Sequence, residues 1–226
     1  MPQIVSLGPY HHGRRVFREM ERHKWRFLHK IVNRTNHDVK AYLNCVKELE
    51  KKARACYEGI IALSSEEFVE MMVLDGCFIL EFFRGVAEGF INLGYSQNDP
   101  VFAIHGFMHS IQRDMIMLEN QIPLCILDHL LGLQIGKPHQ RDLVSKLAMR
   151  FFDPLMPTDE SLRRNDQKEL EPSLGHISFD PLLDNGGLHC LDVFRKSLLR
   201  TGLILPPRKK SQTSLTPVVR IADKRN

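Results

Sequence analysis

Eleven histidines, five cysteines and 27 carboxylates are spread over 226 residues. Chemistry requires some of them to share a face or a loop. His105 and His109 stand four apart, the spacing at which imidazoles on successive helical turns reach one zinc ion. Between them lie Gly106, Phe107 and Met108. No glutamate stands there to act as base and no third ligand is apparent, so no metal is expected. His11 and His12 are adjacent, and in most backbones adjacent side chains point in different directions. They offer a loop site for an anion or metal at most. Asp114 and Glu119 are five apart, about 140° around a helix, so they do not form a converging acid–base pair. No GxSxG, P-loop, GxGxxG or metal-ligand cluster is present. No catalytic residue and no cofactor are therefore expected.

Asp75 is the most informative carboxylate. It falls on the apolar stripe of Phe68, Met71, Phe78 and Phe82, with Gly76 beside it. A buried carboxylate is costly unless paired or hydrogen-bonded. Asp75 is thus expected to meet an Arg, a His or backbone donors from another segment. A structural lock is the favoured reading over a catalytic acid, because no nucleophile accompanies it. Cys77 and Cys125 sit in apolar runs and read as core thiols. The cysteines are odd in number and form no CxxC, which argues against a disulfide framework, redox pair or zinc ribbon and for a reducing compartment.

These residues must be positioned by helices. Gly8-Pro9-Tyr10 and Gly13 mark a turn in the opening segment. From Arg14 a helical pattern places Phe17, Met20, Phe27 and Ile31 on one side, flanked by Leu28 and Val32, and Trp25 belongs to the same helix. Val39, Tyr42, Val46, Leu49, Ala53, Cys56 and Ile60 follow at alternating spacings of 3 and 4, predicting a helix over 39–60. Ser64 with Glu67 makes a capping box for a central core helix. Further helices are expected over 101–119, over 124–133 after Pro123, over 139–152 and over 188–200. The fold class is all-α, an irregular multi-helix bundle. Residues 1–152 read as a helical core domain and 153–187 as a mobile polar insertion. Residues 188–205 read as a final helix packing on the core, and 206–226 as a disordered basic tail.

Charge is arranged in blocks. Residues 1–60 carry 13 basic and 6 acidic side chains, and residues 61–135 carry 2 and 10. Such blocks pair inside the fold or are solvated in preference to meeting an outside partner. Nucleic acid is disfavoured, because the basic residues are interleaved with carboxylates and no binding motif accompanies them. The apolar run 122–135 is 14 residues long and holds Asp128 and His129. It is too short for a bilayer, which takes about 20 mainly apolar residues. With no visible signal peptide, the chain as given is expected to be cytoplasmic.

Several segments recur in one order in a known family. They are Val5-Ser6-Leu7-Gly8-Pro9-Tyr10-His11-His12-Gly13, then Met20-Glu21 with Lys24, then 71–81 including Asp75, Gly76 and Glu81. Arg113-Asp114 follows, with Leu118-Glu119-Asn120-Gln121-Ile122-Pro123 and finally His189-Cys190-Leu191-Asp192. Over roughly residues 4–200 the chain resembles plant proteins of Domain of Unknown Function 247. The resemblance implies no established enzymatic reaction. It implies a longer protein ending in a hydrophobic membrane anchor, which this chain lacks, and some members are linked to pollen recognition in grass self-incompatibility. The chain looks like a truncated member. A non-enzymatic interaction or recognition module with a protein partner is the expectation. An enzyme using His11, His12, Asp75 and Glu119 is the alternative, and a fragment without independent function is a third reading. Physically, the first motif reads as a turn into the first helix and the second as a core helix with a buried acid. The third reads as a helix end where Asn120 and Gln121 satisfy free carbonyls.

Overall fold

The computed structural model describes residues 1–103, 106–137, 141–155 and 189–200. The fold is all-α, and no strand occurs among the described residues. A short 3-10 turn over Arg15–Phe17 leads into α1 (Arg18–Thr35), followed by α2 (Val39–Arg54) and α3 (Ser65–Glu88). Then come α4 (Pro100–Ala103), α5 (Phe107–Met115), α6 (Leu124–Ile135), α7 (Arg141–Phe152) and α8 (Cys190–Arg200). The expected insertion and basic tail lie outside the described residues, apart from a 3-10 turn over Asp153–Leu155.

α3 is the hub. Ser64 accepts from the Glu67 N–H while the Glu67 carboxylate accepts from the Ser64 N–H, so both ends of the capping box close. Nearly every residue from Phe68 to Phe83 is buried, and α1, α2, α6 and α7 all pack on it. α6 packs tightly at Gly76, where a Cβ would stand 2.4 Å from Leu130 Cδ1. The aromatic core is continuous from α1 to α7. Phe27 stacks 5.5 Å from Phe78, Phe82 meets Phe102 and Phe151, and Phe83 meets Phe152. Each such ring taken out of water contributes about 1.5–3 kcal/mol. α8 closes on α7 through Phe194 and Phe152.

Two expectations need correction. The α2 seam ends at Arg54; Cys56 is exposed and Ile60 is 99% exposed, because the chain has left the helix before reaching them. The helix expected over 101–119 is broken: Gly106 takes φ +82 ahead of α5, which ends at Met115. Trp25 belongs to α1 as expected and is 48% exposed there, while Lys24 is buried.

The charge blocks meet within the fold. α1 places Lys24 against Asp75, Arg26 against Asp99 and Arg34 against Glu81.

Candidate functional site

Most of the motif residues converge on the extended segment at the chain start. Val5 and Leu7 are buried there, so its backbone is cut off from water and needs partners. Asp114, near the end of α5, supplies three of them. Its carboxylate accepts from the N–H groups of Gln3 at 2.9 Å, Ile4 at 2.7 Å and Val5 at 2.9 Å. Successive N–H groups of this kind form an anion-binding concavity, here filled by the chain's own carboxylate. Asn120 continues the pairing. It accepts from the Leu7 N–H at 2.7 Å and donates to the carbonyls of Val5 and Asp114, both at 3.0 Å.

Asp75 takes the next backbone donor. Its Oδ2 accepts from the Gly8 N–H at 2.7 Å, and its Oδ1 meets Lys24 Nζ at 2.5 Å. Lys24 also donates to the Ser6 carbonyl and to Glu21, both at 2.6 Å. Three segments are thus tied at one buried point. Burial raises the Asp75 carboxyl, opposed by Lys24 and reinforced by Glu21. Burial pulls the Lys24 ammonium down, but the two carboxylates outweigh it and the net shift is upward. One cation serving two carboxylates keeps Lys24 charged.

Gly8 is required twice over. Its φ is +71, and a Cβ would stand 2.4 Å from the Gln121 carbonyl oxygen. That carbonyl accepts from the Tyr57 hydroxyl at 3.0 Å. The Gln121 side chain donates to Met115 and Met117 carbonyls at 2.7 Å, closing the C-terminal end of α5, and accepts from the Leu191 N–H at 3.1 Å. Pro123 precedes α6 and pairs with His189 in an isolated bridge. The third motif therefore joins the opening segment, α5 and the entry to α8.

The histidines of the first motif diverge. His11 is buried, edge-on to Tyr10, with Nε2 3.5 Å from Glu119 Oε2, too long for a good hydrogen bond. Neither ring nitrogen has a hydrogen-bond partner. Burial holds its pKa below the ordinary value, helped by the Arg14 charge and opposed by Glu119. His12 is partly exposed and lies in the field of Glu67 on α3. Pro9 is half-buried, while Tyr10 and Gly13 are exposed. Glu81 is not part of this convergence. It is fully buried and forked by Arg34 at 2.7 Å to each oxygen. Ten residues of α1 separate Arg34 from Lys24, about 15 Å of helix. His109 is exposed and His105 lies outside the described residues. Among the described residues, no cluster of three or more His, Cys, Asp and Glu is placed to hold a metal ion.

Lys24 as the partner of Asp75 is the main residue that sequence reasoning missed. The signal was present: Phe17, Met20, Lys24, Phe27 and Ile31 are spaced 3, 4, 3 and 4, so the lysine sits inside the apolar seam.

Fold and site define an all-α protein whose motif polar groups bind its own N-terminal backbone. The chain belongs to the family described as plant protein of unknown function, DUF247, whose sequence profile matches residues 1–222. It is 36% identical over 155 residues to UPF0481 protein At3g47200 of Arabidopsis thaliana, covering 67% of this chain and 31% of that protein. It is 33% identical over 150 residues to putative UPF0481 protein At3g02645 of the same plant, covering 62% of this chain and 25% of that one. The matched parts thus span about a third and a quarter of these curated relatives. No solved structure matches. No helix among the described residues is long and apolar enough to cross a membrane.

Proposed function

We propose that this chain is a non-enzymatic interaction module in which the family motifs hold a presented N-terminal turn. The observation carrying this reading is that Asp75, Asp114 and Asn120, buried polar residues of the motifs, are consumed. Asp114 is occupied by three backbone N–H groups, Asp75 by Lys24 and Gly8, and Asn120 by three backbone groups. A general acid, base or nucleophile needs a free proton or lone pair facing a substrate. What the turn leaves outward is Tyr10, at 64% exposure, followed by exposed Arg14, two residue types enriched in protein interfaces.

A second reading, an enzyme, is favoured by one feature: the unpartnered ring nitrogens of His11 beside half-exposed Glu119. One experiment separates the two. Asp114→Asn and Asn120→Ala are expected to lower Tm and speed hydrogen exchange over residues 3–8. A hydrolytic turnover that His11→Ala abolishes with Tm unchanged would replace the module reading with the enzyme one.

A further inference from the structure

We propose that the edge joining the Gly13 turn to the start of α3 is a self-association surface, on which a second copy of this chain docks about a two-fold axis. One side of this edge carries Arg14, Arg15 and Arg18 around Val16, all exposed. The other carries Glu58, Glu66 and Glu70 with Ile60, also exposed. Val16 is 64% and Ile60 99% exposed, two apolar side chains left in water.

Two observations bring the strips to the same end of the molecule. α1 and α3 pair in the same order along the chain, Lys24 with Asp75 and Arg34 with Glu81, so the starts of both helices, with Arg18 and Glu70, lie at one end. Tyr57, next to Glu58, donates to the Gln121 carbonyl against which Gly8 packs. Arg54 holds the intervening loop by donating to the carbonyls of Leu63 and Ser64. Among the described residues, Arg14, Arg15, Arg18, Glu58, Glu66 and Glu70 have no ion-pair partner. α1 spends Lys24, Arg26 and Arg34 on buried acids, and these six exposed charges remain unmatched.

Adjacent strips of opposite sign are self-complementary. A two-fold axis between them sets the arginines of each copy on the glutamates of the other, so every contact is made twice. The same operation covers Val16 and Ile60. An acidic or a basic foreign partner would use one strip and repel the other; a second copy uses both. Guanidinium groups suit this role, since their planar forks pair with carboxylates in two bonds.

The proposal rests on the interaction-module reading. Its test is sedimentation velocity on the full 226-residue chain at low salt. Wild type is expected at twice the 26.2 kDa chain mass, dissociating as salt rises. Arg15→Glu/Arg18→Glu is expected to be monomeric, because both of its strips are negative. Glu58→Arg/Glu70→Arg is expected to be monomeric, because both are positive. Glu66 is spared because its charge also supports the first turn of α3. An equimolar mixture of the two variants is expected to restore the dimer, and this restoration also shows that both are folded. A monomeric wild type overturns the proposal, as do variants that dimerise alone or a mixture that stays monomeric. A monomeric wild type that binds a glutamate-rich peptide overturns it in favour of an acidic partner. None of these results alters the exchange and turnover measurements that decide the module reading.

Discussion

α1 and α3 are joined by two charge pairs built differently. At Arg34–Glu81 the acid is fully buried, but the guanidinium is about a quarter exposed and keeps part of its hydration. Both carboxylate oxygens are forked, and a further Arg34 N–H reaches the Leu93 carbonyl. At Lys24–Asp75 both partners are buried. Each also bonds a third segment, Lys24 through the Ser6 carbonyl and Asp75 through the Gly8 N–H. The first pair holds two helices together. The second makes the fixing of the chain start a condition of burying the charges at all. A buried pair is costly to form and still costlier to break from one side. Loss of the segment that completes it therefore leaves the buried charges short of partners.

The largest expected effect tests this difference. Asp75→Ala leaves the buried Lys24 ammonium with Glu21 as its one carboxylate and should cost about 3–5 kcal/mol in denaturant unfolding. The double change Lys24→Met/Asp75→Leu removes both charges and should recover much of that loss, while hydrogen exchange over residues 6–8 stays fast. Slow exchange in the double variant would show that the charges do not hold the chain start. Next comes Glu81→Ala, expected to cost about 1–3 kcal/mol, because Arg34 can turn toward water. A loss equal to that of Asp75→Ala would erase the distinction between the pairs. Asp114→Asn keeps an acceptor oxygen but loses the charge that strengthens its bonds to the three N–H groups. It should cost about 1 kcal/mol, concentrated in exchange at residues 3–5.

The smallest effect is one of pH. Burial holds His11, His23 and His189 below the ordinary value of 6.5. A base depressed in the folded state contributes stability present above its unfolded value and lost as pH falls through the folded value. Stability around the first motif should therefore decline on acidification below 6.5. Asp75, whose carboxyl is raised chiefly by burial, acts in the opposite sense. The comparison is thus wild type against His11→Phe, which isolates the histidine. Identical pH profiles for the two would remove His11 from the account.

The missed and recovered residues divide along physical lines. The α3 start was legible because a capping box is local, written within four residues. The buried position of Asp75 was legible because 3.6-residue periodicity assigns faces without knowledge of the partner. The break at Gly106 was not, because a single glycine is tolerated within a helical pattern and its spacing does not say which sign of φ it takes. Cys56 and Ile60 continued the α2 seam in spacing, yet periodicity carries no information about where the hydrogen-bond ladder stops.

By itself the sequence determined an all-α chain, the central buried helix, the acid within it and the segments that mark its family, since these depend on interactions a few residues apart. The tertiary structure alone decided that Lys24 answers Asp75 and that Asp114 collects the N–H groups of residues 3–5. It likewise decided that Asn120 reads the backbone between them. These contacts join residues 51 to 115 positions apart, and only the packing of α1, α3 and α5 brings them within hydrogen-bonding range.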